Sequence, residues 1–165
     1  MMGTRTGDID PAVVFHLQRV AGMSVDEVDT LFNKKSGMKG MTGESDMRSV
    51  WDMIHNDDDP EAQQRARTAM DVYINRLLKY VGSYTAELGG LDVITFTAGI
   101  GENDSDVRRE LADALAPFGV KIDVEANKVR SGEPRVVSTP DSTVKIYVFP
   151  TNEELAIARQ ALTFA

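Results

Sequence analysis

No cysteine occurs in the 165-residue sequence. That absence removes disulfides, thiolate zinc sites and thiol nucleophiles together, and it suits a reducing, cytoplasmic setting. Aromatic residues make up only 7%, with a single tryptophan, and the two histidines, His16 and His55, stand far from each other and from any plausible nucleophile. Neither is assigned a catalytic role. No apolar run approaches the roughly 20 residues that span a bilayer, and the opening MMGTRTGD lacks a basic stretch followed by an apolar one. Positive charge is the minority sign, with 18 Lys and Arg against 26 Asp and Glu, a net charge of −8 and no basic block. Neither nucleic acid nor a membrane is therefore expected as a partner. What remains, 42% hydrophobic and 27% charged residues at this length, fits one globular domain over 1–165. A domain of that size buries about 70% of its unfolded surface.

Helical signals fill roughly the first half. Asp10-Pro11 reads as a cap followed by proline at the first helical position, ahead of Val13, Val14, Leu17, Val20 and Ala21 at helical spacing. Gly22 ends that helix. Ser24 with Glu27 forms a capping box before Val25, Val28, Leu31 and Phe32. A loop is expected over 33–43, then a short helix from Ser45 or Asp46. Asp59-Pro60 repeats the cap-and-proline signal before a long apolar face running from Ala66 to Leu88.

From Gly89 the pattern changes. Val93 to Thr97 is a β-branched and aromatic run suited to a buried strand, with Ala98 to Gly101 as its turn and a helix from about Ser105. Short strands are expected at 120–122 and 135–138, a clearer one at 144–149, and a final helix over 152–162. Strands alternating with helices predict parallel pairing and an α/β layer structure. About four strands are few for so many helices. A further N-terminal segment could supply more, and Met1-Met2 directly before a Gly-Thr-Arg loop reads as a cut.

Parallel sheets bind ligands beyond the carboxyl ends of their strands, so the strand-to-helix loops are the places for chemistry. Gly99-Ile100-Gly101-Glu102-Asn103 joins a strand to a helix, and its glycines admit close approach of an anion to a helix N-terminus. Phosphate is the natural occupant. A purely steric Gly-x-Gly turn is the competing reading, and Asn103 reads equally as a helix cap. In Pro150-Thr151-Asn152-Glu153-Glu154, the carboxylates suit the helix dipole. Opposite a phosphate loop, Glu153 would instead hold Mg²⁺, which favours oxygen ligands. Arg5, between Gly3 and Gly7, suits planar contact with phosphate oxygens, or stands exposed without a task. Asp46 reads as a cap, while Met47 and Arg48 either pack or flank a flat heterocycle. The acidic run 56–59 is a solvated turn.

Taken together, GTRTGDIDPAVV, NKKSGMKGMTGESDMR, FTAGIGEN followed by DVR, and PTNEELAIA resemble the C-terminal part of the acetate kinase family, in the same order and over essentially the whole chain. The resemblance implies the actin-like α/β fold shared by sugar kinases and Hsp70-type ATPases, in which two domains clasp a nucleotide. It implies ATP-dependent phosphoryl transfer to acetate, giving acetyl phosphate and ADP, with Mg²⁺ or Mn²⁺. By the same resemblance Arg5 is the transition-state stabiliser. Asp46, Met47 and Arg48 border the adenosine pocket, Gly99, Ile100, Gly101, Glu102 and Asn103 form the nucleotide loop, and Glu153 is the metal carboxylate. Ala98 stands where a second glycine is common, a change expected to alter the loop's chemistry little. The family's catalytic aspartate and histidine, its acetate-side arginine, its metal-binding asparagine and a further adenosine loop have no counterpart here. Activity is accordingly assigned to a longer parent, a cytoplasmic homodimer, with the chain alone inactive and missing its N-terminal domain. Propionate or butyrate as the acceptor, and a non-catalytic dimerisation module, are the alternatives.

Overall fold

Short polar side chains set where many of the helices begin. In the computed structural model, which describes residues 1–164, Asp10 accepts the Ala12 amide at 2.8 Å at the start of α1 (Ala12–Val20). The Ser24–Glu27 capping box closes on both sides at α2 (Val25–Lys34). After α3 (Gly37–Thr42), Asp46 accepts the Arg48 amide at 2.9 Å and opens α4 (Met47–Asn56). Asp59 accepts the Glu61 amide at 2.9 Å at the start of α5 (Pro60–Leu88). Each such bond satisfies a helix N–H that has no intrahelical partner, and replacing a cap of this kind by alanine typically costs about 1 kcal/mol.

The chain divides into two compact units, Met1–Lys79 and the part from Tyr80 onward. In the first unit, Val28, Met38, Met47, Val50, Ala66, Ala69 and Met70 are buried. The small residues of α5 lie on the face that the helical periodicity marks. The expected loop over 33–43 is largely helical, because α2 extends to Lys34 and α3 follows from Gly37.

The second unit is built on a three-stranded sheet in the order β1 (Val93–Phe96), β3 (Lys145–Val148), β2 (Arg135–Val136). β1 and β3 are parallel, with Val93 opposite Lys145 and Phe96 opposite Val148. β2 runs antiparallel to β3, so the expectation of parallel pairing holds for one of the two ladders. Residues 120 and 122 make isolated bridges rather than a strand. Between β1 and β2 lie α6 (Ala98–Asn103), α7 (Ser105–Ala114), a 3-10 turn over 116–118 and the short α8 (Val124–Lys128), which the sequence did not announce. α9 (Glu153–Ala161) follows β3.

Ile146 and Val148 of β3 are fully buried with Val107, Leu111, Leu115, Val137 and Val144. β1 was expected to be buried. It is instead an edge strand with Val93 50% exposed, since β3 is its one partner among the described residues.

Candidate functional site

In the first unit, the segment carrying Arg5 is tied down mainly by backbone hydrogen bonds, with the Thr4 hydroxyl also donating to Asn33 O at 3.1 Å. Ser36 N donates to Thr4 O at 2.9 Å, Met38 N to Met2 O at 2.9 Å, Lys39 N to Gly3 O at 2.9 Å, and Thr6 N to Phe32 O at 3.0 Å. Two of those donors, Met38 and Lys39, belong to the first turn of α3, whose amides need partners from outside the helix. The Arg5 side chain is exposed and makes no hydrogen bond or ion pair with any described residue.

Close by, a methyl group on Gly3 would lie 3.6 Å from the Ser45 carbonyl oxygen, so this segment passes the start of α4. There Asp46 both caps the helix and pairs with Arg48, Nη2 to Oδ2 at 2.6 Å. The guanidinium hydrogen bonds hold the Asp46 carboxyl down at about 2. Met47 is 8% exposed and faces the core, leaving little of its side chain for a ligand.

In the second unit, the loops that leave the carboxyl ends of the paired strands β1 and β3 meet. Glu102 Oε1 accepts from both the amide and the hydroxyl of Thr151, each at 2.9 Å. Gly101 packs on the end of β1, where a Cβ would stand 3.2 Å from the Phe96 carbonyl carbon, tight enough that only glycine fits without a shift. Gly99 faces open space.

Asn152 caps α9 by accepting the Leu155 amide at 2.9 Å, which leaves Glu153 in the first turn with its carboxylate exposed. Asn103 is no cap: its amide donates back to Gly99 O at 2.9 Å, and the cap of α7 is Asp104. A polar cavity of about 330 Å³ opens beside the loop, lined by Glu102, Asn103, Arg130, Ser131 and Gly132. The arrangement offers a glycine-bearing helix start, an exposed carboxylate and, beside the first loop, an Arg130 with no ion pair to any described residue, around the adjoining ends of β1 and β3, a setting suited to a phosphate chain with its cation.

The family model for the acetokinase family matches residues 1–159. The chain belongs to the acetokinase family. It is 53% identical over 165 residues to the acetate kinase of Corynebacterium efficiens, covering 100% of this chain and 40% of that protein. Among solved structures it resembles Porphyromonas gingivalis acetate kinase, with 40% identity, a TM-score of 0.85 and coverage of 99% of this chain and 40% of the other. A propionate kinase from Francisella tularensis is also similar, at 36% identity and a TM-score of 0.83, over 95% of this chain and 38% of that one. The chain thus spans about 40% of the relatives it matches. The actin-like α/β fold implied by the sequence motifs is the fold found.

Across the acetokinase motifs, Arg5 and Asp46 to Arg48 fall in the first unit, and Gly99 to Asn103 with Glu153 fall in the second. The expected turn at 98–101 is instead the start of α6. Its first residue, Ala98, has φ +59°, a left-handed conformation that costs an L-residue with a Cβ roughly 1–2 kcal/mol. Alanine at this position therefore carries a backbone cost, separate from its effect on loop chemistry. Ala98→Gly is expected to raise the stability of the chain by about 1 kcal/mol, read as a higher urea midpoint, and a lower midpoint would contradict the strain.

Glu102 gives a pH signature. Its carboxyl is held below the usual 4.5, first by the Thr151 amide, then by the Thr151 hydroxyl, with smaller help from the Ala98 amide and the charge of Arg135. A lowered folded-state value means the loop-to-loop bridge is complete at pH 4.5 and above and is lost only as pH falls through that lower folded-state value. Protection of the Thr151 amide from hydrogen exchange is expected to follow that course, and in Glu102→Gln to lose its acid transition.

Arg108 escaped the sequence reading although the DVR triplet that contains it is part of the family motif. It is 2% exposed, and burial pulls its guanidinium below the ordinary arginine value. An arginine at a half-apolar helix position gives no local sign of burial; the motif was the available signal.

Proposed function

We propose that the chain is the C-terminal part of an acetate kinase, which transfers the terminal phosphoryl group of ATP to acetate and forms acetyl phosphate and ADP. The observation that carries this reading is the meeting of two strand-end loops through Glu102 and Thr151, with a glycine-bearing helix start on one and Glu153 on the other. Membership of the acetokinase family supports it. In this reading the N–H groups at the start of α6 and the open face of Gly99 receive the phosphate chain, and Arg130 adds a cation beside the same loop. Asp46 and Arg48 border the adenosine, and Arg5 neutralises charge that develops on the phosphoryl group in transit.

Glu153 fits a divalent cation. Its carboxylate is exposed, and no cluster of three or more metal-ligating side chains exists among the described residues. A single carboxylate completed by phosphate oxygens and water is how magnesium is usually held, and manganese accepts the same donors. When bound, the cation supplies charge neutralisation between phosphate oxygens.

Phosphoryl transfer from ATP to acetate needs groups on both sides of a cleft. The isolated chain is therefore inactive, and the full-length protein, a cytoplasmic homodimer, is the catalyst. Exposed Tyr84 and Leu88 near the end of α5 are apolar surface suited to such pairing. No helix among the described residues is long and apolar enough to cross a membrane.

The test is acyl phosphate formation by the full-length protein with MgATP and acetate, propionate or butyrate offered in turn. Preference for acetate supports the proposal. Preference for a longer acid moves the assignment to the class of the Francisella neighbour, and absence of any acyl phosphate overturns both. Turnover by the 165-residue chain alone would refute the need for a second domain.

A further inference from the structure

The short helix α6 has little of its own to hold it. It contains six residues, two of them glycine, and begins at a left-handed alanine. A helix this short is unstable without outside contacts, and its last carbonyls have no partners within it. One of those carbonyls, Gly101 O, accepts from Arg108 Nη1 at 2.8 Å.

The same guanidinium donates through Nε to Asn127 Oδ1 at 2.6 Å and through Nη2 to Asn127 O at 2.6 Å. Asn127 is itself 2% exposed, and its amide donates to Ser105 O at 2.8 Å, at the start of α7. One buried cation therefore joins α6, α7 and α8. The planar fork of arginine can reach carbonyls on separate elements at once, which a lysine ammonium on a flexible stem cannot reproduce.

We propose that Arg108, held by Asn127, is the positioning residue of the nucleotide loop: it fixes Gly101 and so aims the phosphate-binding start of α6, without itself touching the nucleotide. This rests on the reading of that loop as the nucleotide site. A displacement of about 1 Å at such a site is enough to cost on the order of 100-fold in function. Of the candidate site residues, Arg108 bonds Gly101 of the nucleotide loop, so its effect is expected on nucleotide constants.

The experiment compares wild-type, Arg108→Lys and Asn127→Ala full-length proteins for KM of MgATP, KM of acetate, kcat, thermal midpoint and calorimetric Kd for MgADP. For Arg108→Lys, KM for MgATP and Kd for MgADP are expected to rise together by about 10- to 100-fold, with KM for acetate within about twofold of wild type. Asn127→Ala, which keeps the backbone acceptor, is expected to show a smaller rise of the same kind. Soluble variants whose nucleotide constants stay at wild-type values while the midpoint drops would reduce Arg108 to a stability role and overturn the proposal. Equal shifts for both substrates would overturn it as well. If Arg108→Lys fails to fold, Asn127→Ala decides alone, and failure of both to fold also sinks it. A wild-type protein that makes no acyl phosphate would refute the functional reading, while the MgADP comparison still decides the role of Arg108.

Discussion

Gly37→Ala is expected to destabilise the first unit by about 2–4 kcal/mol and to free the segment that carries Arg5. Two independent costs coincide at this residue. Its φ is +63°, and a Cβ there would land on the Met2 carbonyl oxygen and 2.6 Å from the Arg5 carbonyl oxygen. Both obstacles are backbone, so no rotamer change relieves them. The chain has one escape, which is to lift residues 2–6 away. That sacrifices four backbone hydrogen bonds and the bond from the Thr4 hydroxyl to Asn33 O, each worth about 1 kcal/mol, so the collision accounts for most of the expected cost.

Gly43→Ala is the matched control, because Gly43 has φ +86° and nothing within 4 Å of the added methyl. It carries the conformational penalty of roughly 1 kcal/mol without the collision. Hydrogen exchange at the Ser36, Met38 and Lys39 amides separates the two. Gly37→Ala is expected to abolish their protection and Gly43→Ala to retain it. Equal protection in both variants would show that the collision is absorbed and that the segment does not depend on Gly37.

Features legible in the sequence are those with local causes. Asp10, Ser24 with Glu27, Asp46 and Asn152 all sit at helix starts as their chemistry demands, because a cap is a bond between near neighbours. β1 and β3 were visible as β-branched runs, and their parallel pairing followed from the helices between them. What was not legible depends on contacts across the fold. α6 looked like a turn because two glycines lower its helix propensity; its conformation is imposed by Arg108 on Gly101, by the end of β1 beneath Gly101 and by Thr151 on Glu102.

The same holds for α3, whose first amides are satisfied by Met2 and Gly3 carbonyls more than thirty residues earlier in the chain. Met47 illustrates the limit from the other side. Its neighbours Asp46 and Arg48 are open to solvent while it turns inward, a distinction set by helix phase and the core of the first unit. Of the candidate site, the glycine loop and the Glu153 loop were singled out by their chemistry, and the bonds between Glu102 and Thr151 join the two. The residue that braces the former was in plain view in the DVR triplet, with nothing local to mark its burial.

Arg5→Ala in the full-length protein is expected to lower kcat by about 10³- to 10⁵-fold, the range observed where an arginine neutralises a phosphoryl group in transit. The expectation comes from a contrast within one segment. The backbone around Arg5 is fixed by hydrogen bonds on either side of it, at Thr4 and Thr6, whereas its guanidinium engages no described residue. A charged side chain that supported the fold would be spent on a partner. This one is held at its root and free at its tip, so its removal leaves stability within about 0.5 kcal/mol of wild type.

Arg5→Lys is expected to recover little of the lost turnover, since an ammonium cannot offer two parallel donors to phosphate oxygens. Added guanidinium ion, which restores the planar donor without the tether, is expected to return part of the activity to Arg5→Ala and none to Arg5→Lys, where the lysine fills the space. If Arg5→Ala kept its turnover, or lost it only together with its thermal midpoint, Arg5 would be a surface residue of the first unit and the transition-state role would have to be placed elsewhere.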